Sequence, residues 1–119
     1  MYELEVRSEL RARRSMRPLT GEGTETFTIR LKVGAERSLG AGERVVEFAQ
    51  LEQVLRRALD DLEGKRLPDL DVFSGGSVSL ENLAQFLFRK VKILLDTSRV
   101  RPLSVAVEVA EGRRVAYRE

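Results

Sequence analysis

Hydrophobic and polar residues alternate along the first dozen positions of the chain. One side carries Tyr2, Leu4, Val6, Ser8, Leu10 and Ala12, and the other carries Glu3, Glu5, Arg7, Glu9, Arg11 and Arg13. This period of two is typical of a β-strand with one buried face. A polar stretch containing Pro18, Gly21 and Gly23 follows, and residues 26–33 then alternate again. The pattern predicts two strands that pair antiparallel.

The middle of the chain changes to the spacing of three and four residues that marks amphipathic helices. The first predicted helix has the apolar set Phe48, Leu51, Val54, Leu55, Ala58, Leu59 and Leu62. After a turn at residues 74–77, the second has the inner set Leu80, Leu83, Ala84, Leu87, Val91 and Leu94. Ser79 is placed to cap the second helix, and Pro102 prevents the helix from continuing that far.

Alternation returns at the end of the chain, with Leu103, Val105, Val107 and Val109 inward and Val115 and Tyr117 on a return strand. Glu111 and Gly112 between them predict a hairpin turn. The order of elements predicts one α+β domain over residues 1–119, in which a four-stranded antiparallel sheet has both helices on its apolar face. The other face is charged. Because the outer strands need partners, we expect sheets of several subunits to close into a barrel.

The amino-acid composition excludes several kinds of catalytic and metal-binding chemistry. The 119 residues contain no histidine and no cysteine, so the commonest general base, the soft zinc ligands and the thiol nucleophile are all missing. With 21 basic and 19 acidic residues, the charge does not indicate nucleic-acid binding. No stretch approaches the roughly 20 apolar residues that cross a bilayer, and no signal peptide is evident. We therefore expect a cytoplasmic protein without a membrane partner, and its small core favours self-association.

Four segments resemble, in order, motifs of the 6-pyruvoyl-tetrahydropterin synthase and 6-carboxytetrahydropterin synthase family. Residues 45–51 (VVEFAQL) resemble V-I-D-F-x-x-L, and residues 62–69 (LEGKRLPD) resemble L-D-H-x-x-L-N-D. Residues 77–84 (SVSLENLA) resemble N-P-T-S-E-N-L-A, and residues 107–111 (VEVAE) resemble V-x-V-x-E. The resemblance covers most of the chain from Thr26 onward and implies the tunnelling fold, with subunit sheets joined into a barrel and ligands bound between subunits.

The positions that match the family's chemistry carry other residues. The three zinc-binding histidines of the family match approximately Arg14, Gly23 and Glu25. A guanidinium stays protonated and repels a cation, and glycine has no side-chain ligand, so we expect no zinc and no other cofactor. The family's loop cysteine is missing, and Glu63 and Gly64 stand where it has an Asp and a His. We therefore expect no family lyase reaction, and Glu63 remains as the catalytic candidate.

In the family, a glutamate holds the pterin by accepting two N–H bonds from its guanidine-like edge, a task that suits a carboxylate. Glu111 matches it best, because Val107, Val109 and Glu111 lie on one face of the strand as in the family motif, and Glu108 is the fallback. A Glu-Gly pair is also common in hairpin turns, where the Glu111 carboxylate would be solvated or loosely paired with an arginine. Ser79 and Glu81 match pocket residues of the family's helix-start motif. Without a ligand, Ser79 is explained as an N-cap and Glu81 as an acid that the helix dipole stabilises.

Two charged groups outside those motifs are further candidates. Arg11, Arg13, Arg14 and Arg17 form either an anion-binding cluster or a solvated, ion-paired face. Glu22, Glu25 and Glu63 have oxygen ligands of the kind that Mg²⁺ prefers, but nothing in the sequence fixes their geometry. We predict no metal site.

Three hypotheses for function follow. The first is a zinc-free relative that binds a pterin or purine-like heterocycle between subunits of a homo-oligomer, as a ring or stacked rings, without turning it over. The second is a non-catalytic assembly protein that serves a partner. The third is an enzyme that uses carboxylate and arginine groups such as Glu63, Glu25 or Arg14 on a related heterocycle.

Overall fold

Two long strands open the chain, as the alternation predicts. The computed structural model describes residues 2–14, 24–35, 48–73, 78–95 and 100–119. Strand β1 (Tyr2–Ala12) and strand β2 (Glu25–Ala35) pair antiparallel in unbroken register along their whole length. Their apolar positions, including Val6, Leu10 and Phe27, are buried on the same face.

Strands β3 (Val100–Glu108) and β4 (Arg114–Tyr117) complete a four-stranded antiparallel sheet with the order β1-β2-β3-β4. The register of β2 against β3 shifts between Lys32 and Val33, next to Pro102. A proline donates no ladder hydrogen bond, so a strand tolerates it at such an irregularity. The predicted turn is a single 3-10 turn, Ala110–Gly112, in which Gly112 has a φ of 79°.

The two predicted helices are α1 (Phe48–Asp60) and α2 (Leu80–Leu95), and both cover the apolar face of the sheet. This confirms the predicted layers. Phe48 is the first residue of the apolar set that predicts α1, but its side chain is 54% exposed. The reason is its place at the start of α1, since the buried stripe begins only at Leu51. Neither helix in the described ranges has the length and apolar character that crossing a bilayer requires.

The connection after α1 follows the edge of β1, which the sequence did not predict. Arg13 donates its backbone N–H to the Lys65 carbonyl at 2.9 Å and accepts from the Leu67 N–H at 2.7 Å. The Gly64 N–H donates to the Arg11 carbonyl at 2.7 Å. The second half of the β1 edge is therefore covered within the chain. Two 3-10 turns, Leu67–Asp69 and Asp71–Phe73, follow before α2.

Surface ion pairs tie α2 to neighbouring segments. Lys90 bonds the Asp61 carboxylate and lowers the pKa of Asp61. Lys92 donates to Glu119 at 3.0 Å, which lowers the pKa of Glu119, and the Tyr117 hydroxyl donates to the same carboxylate at 3.3 Å. The Tyr117 ring lies edge-on to Phe88 with centroids 5.2 Å apart. The C-terminal strand is thus held to α2 by apolar and polar contacts.

Arg56 joins α1 to β1 with one guanidinium group. Its Nη1 donates to the Ser8 hydroxyl at 3.2 Å and to the Glu9 carbonyl at 3.1 Å. Its Nε bonds Asp60 at 3.2 Å, and its Nη2 bonds Glu63 at 3.3 Å. The Glu9 carbonyl lies on the outer edge of the sheet, so Arg56 continues the coverage that Gly64 and Lys65 provide.

We expect Arg56→Met to lower the free energy of unfolding by about 1 kcal/mol. Hydrogen bonds from a charged donor contribute roughly 1.5–3 kcal/mol, and the 41% exposure of the Arg56 side chain reduces that value through solvent screening. Urea denaturation measures the change. Arg57→Met, at an exposed position of the same helix, is the control and should change the stability by less than about 0.5 kcal/mol. Equal stabilities of the two variants would contradict the role of Arg56.

Candidate functional site

The topology brings the candidate residues to one end of the sheet. That end contains the last residues of β1 and β3 and the first residues of β2 and β4, because neighbouring strands are antiparallel. The start of α2 reaches the same end, since the Val78 N–H donates to the Arg14 carbonyl at 2.9 Å. The turn after α1 joins it through Gly64 and Arg11. Six segments therefore surround a single region.

Arg14 and Glu25 form an ion pair at this end of the sheet. The Arg14 Nε donates to Glu25 Oε1 at 2.8 Å, and the side chains are 22% and 36% exposed. These are two of the three positions that the family resemblance matches to zinc ligands, and Gly23, the third, lies outside the described residues. A guanidinium donates and cannot coordinate a cation, so this pair does not fit a zinc ion. Within the described ranges, no cluster of acidic side chains suits a metal.

Glu63 is engaged by two donors. Its Oε2 accepts from the Arg11 backbone N–H at 3.2 Å and from Arg56 at 3.3 Å. Gly64, with a φ of 71°, turns the chain at this point so that its own N–H meets β1. The Glu63 side chain thus holds the turn to the sheet, and its catalytic role remains a prediction.

The N-terminus of α2 is capped as predicted. The Ser79 hydroxyl accepts from the Asn82 backbone N–H at 3.0 Å. Glu81 is exposed in the first turn, where the helix dipole favours a negative charge. Since Val78 contacts Arg14, this turn lies beside the ion pair. The ligand-binding role of Ser79 and Glu81 remains a prediction.

The two glutamates at the end of β3 occupy different positions. Glu108 projects from the sheet face opposite the helices, where its Oε2 lies 4.0 Å from Arg30 Nε. Glu111 lies in the turn before β4, and the structure describes its backbone but not its side chain. The turn places Glu111 at the same end of the sheet as Arg14 and Glu25.

The predicted arginine cluster is divided. Arg11 and Arg13 share the charged face of β1, whereas Arg14 turns to Glu25. Arg17 and Glu22 lie outside the described residues. The anion-binding role of Arg11, Arg13, Arg14 and Arg17 remains a prediction.

Sequence reasoning missed Arg30, which lies directly opposite Arg7 in the β1–β2 register. The Arg30 Nε is buried and has no hydrogen-bond partner among the described residues. The sequence contained a signal for Arg30, because both strands alternate and pairing them in register places the like charges of Arg7 and Arg30 side by side.

A family model described as 6-pyruvoyl tetrahydropterin synthase matches residues 24–119. Among solved structures, the chain is similar to the 6-pyruvoyl tetrahydropterin synthase of Caenorhabditis elegans, with a TM-score of 0.76 and 18% identity. That match covers 99% of this chain and 95% of the other. No curated protein matches. The comparison confirms the predicted tunnelling fold. Glu25, Ser79 and Glu111 lie within the matched range, and Arg14 precedes it.

We expect Ser79→Ala to lower the free energy of unfolding by about 1 kcal/mol, because the Asn82 N–H loses its acceptor at the helix start. Ser79→Asp should retain the stability, since a carboxylate caps as well as a hydroxyl and also favours the helix dipole. Thermal and urea denaturation of both variants measure these changes. An unchanged stability of Ser79→Ala would show that the hydroxyl does not cap α2.

Proposed function

The chain belongs to the 6-pyruvoyl tetrahydropterin synthase family, and from that premise we propose that it binds a pterin or purine-like heterocycle at a subunit interface. In this proposal the protein is zinc-free and does not carry out the family's lyase reaction. The observation that carries the proposal is the Arg14–Glu25 ion pair beside the start of α2.

The Arg14–Glu25 ion pair supports a site whose charges differ from those of a zinc centre. One Glu25 oxygen already accepts from Arg14 at 2.8 Å, and the guanidinium keeps a fixed positive charge there. Without histidine or cysteine in the sequence, neither an imidazole base nor a thiol is available for proton transfer. The scaffold supports binding better than it supports the reaction.

We assign ligand recognition to side chains whose hydrogen-bond donors and acceptors complement those of a pterin or guanine. A Glu111 carboxylate would accept two N–H bonds from the amino-pyrimidine edge of a pterin or guanine. The Nη groups of Arg14 would donate to carbonyl oxygens, and Ser79 and Glu81 would line the same region at the start of α2. A second subunit would complete the site at the interface.

We expect the purified protein to bind at least one of neopterin, 6-carboxypterin, guanine and GTP in a calorimetric titration, and Glu111→Gln to weaken binding by at least about tenfold. The amide replaces one acceptor oxygen with a donor, and a charge-assisted bidentate contact contributes on the order of 1.5–3 kcal/mol.

Glu52→Gln, at an exposed position of α1, is the matched control and should bind like the unaltered protein. Elemental analysis of the same samples should find far less than one zinc ion per chain. Stoichiometric zinc, or no binding of any compound by a folded oligomer, would overturn this proposal.

A second candidate function, an assembly protein without catalysis, is favoured by the edges of the sheet. Residues 3, 5 and 7 of β1 turn their backbone N–H and C=O groups outward, since Glu9, Arg11 and Arg13 do so and the register is unbroken. These outward groups have no partner among the described residues. Strand β4, with four residues, is the opposite edge and is short enough to pair with this open half.

The charged side chains of β1 and β4 also favour this pairing. Glu3 and Glu5 project from the charged face of β1, and Arg114 projects from the same face of β4. Opposite charges on neighbouring strands stabilise a sheet, whereas like charges destabilise it. Pairing of β1 with β4 of the next copy would keep all strands antiparallel and would remove both edges, as in a barrel.

We expect Glu5→Pro to shift the protein to smaller species in size-exclusion chromatography with light scattering. The Glu5 N–H points outward, so proline removes an intersubunit donor and spares the bonds to β2. Glu5→Ala keeps that N–H and is the control. Oligomers of equal size for both variants, or a monomeric unaltered protein, would contradict pairing through this edge.

A further inference from the structure

A cavity of about 520 Å³ lies on the side of α2 that faces away from the sheet. It is lined by Val72, Phe73, Asn82, Gln85, Phe86 and Arg89. Small-molecule sites typically have volumes of roughly 300–1,000 Å³. Of these six residues only Asn82 lies in a family motif, the segment 77–84, and the heterocycle site proposed above uses none of the six.

One wall of the cavity is polar and carries a positive charge. Asn82, Gln85 and Arg89 follow one another along the outer face of α2 at spacings of three and four residues. Asn82 uses its backbone N–H to complete the cap at Ser79, so its side-chain amide is available. Arg89 is exposed and forms no hydrogen bond or ion pair with the described residues, and none of the six lining residues is acidic.

The other lining residues are aromatic or apolar. The rings of Phe73 and Phe86 lie 5.2 Å apart at 58°, and Lys90 Nζ is 5.8 Å from the centroid of Phe86. The Val72 side chain is 61% exposed beside them. A flat aromatic ring bound here would cover apolar surface that now contacts water.

The charge of Arg89 acts on the Glu119 carboxylate. The pKa of Glu119 is lowered mainly by its hydrogen bond from Lys92, and the Arg89 charge adds a smaller effect. Lys92 and Tyr117 already bond the Glu119 carboxylate at 3.0 and 3.3 Å. The planar fork of the Arg89 guanidinium therefore keeps its donors for a carboxylate from outside the chain.

We propose that this cavity binds a small planar aromatic carboxylate. The carboxylate pairs with Arg89, the Asn82 and Gln85 amides bond polar groups on the ring edge, and the ring packs against Phe73, Phe86 and Val72.

The test uses 1-naphthoate as the probe, with amide chemical shifts of the isotope-labelled full chain as the readout. We expect the largest shifts at residues 72–73 and 82–89 and a Kd on the order of 1 mM, the range that the size of the probe allows. The uncharged analogue 1-naphthamide should bind about tenfold more weakly, because it cannot form the charged pair.

Arg89→Met should weaken 1-naphthoate binding by about tenfold, whereas Arg118→Met, at an exposed position outside the cavity, should leave it unchanged. Glu111→Gln should also leave it unchanged, which separates this cavity from the proposed heterocycle site. Unaltered binding by Arg89→Met, equal binding of 1-naphthamide, or shifts that map elsewhere would each overturn the proposal. Unchanged thermal stability confirms that Arg89→Met is folded.

Discussion

Backbone hydrogen bonds along the edge of β1 determine how the rest of the molecule is arranged. The Gly64 N–H, the Lys65 carbonyl and the Leu67 N–H bond Arg11 and Arg13, so the chain after α1 lies against the end of β1. The start of α2 is fixed to the same strand by the Val78 N–H. These bonds satisfy polar groups that would otherwise need water or another chain, and they bring the start of α2, the turn after α1 and the Arg14–Glu25 pair together.

The same bonds divide the edge of β1 into two halves with different roles. The half from Glu9 to Arg13 is covered by Arg56 and the segment 62–67 and is closed to further pairing. In the half that contains residues 3–7, the outward groups have no partner in the part of the chain that the structure describes, and natural sheets do not usually leave such groups uncovered. Because half of the β1 edge is closed, another strand can pair with it in fewer registers than it could with a wholly open strand. The proposed ligand site and the proposed assembly edge therefore lie at opposite ends of one strand.

The family's fold is present in this chain, although the residues at some of the family's motif positions differ. The chain matches the fold of a solved family member at a TM-score of 0.76, although only 18% of residues are identical. The positions that the family resemblance matches to metal ligands carry an arginine and a glutamate that bond each other at 2.8 Å. An ion pair supplies a fixed charge without needing deprotonated ligands, whereas a zinc site needs neutral imidazoles or thiolates. A fold is maintained by many apolar contacts, so its similarity does not depend on a few polar groups at one site.

The sequence by itself determined the elements and layers, because a period of two or of three to four residues fixes which side chains can share a face. It also determined the Ser79 cap and the turn at Glu111 and Gly112, which depend on residues close in the chain. Tertiary structure decided the rest. Arg14 meets Glu25, Arg56 meets Glu9, and Arg13 meets Lys65 only because folding joins segments 11 to 52 positions apart. The exposure of Phe48 was decided in the same way, since periodicity shows which face of a helix is apolar but not where along the helix the sheet begins to cover it.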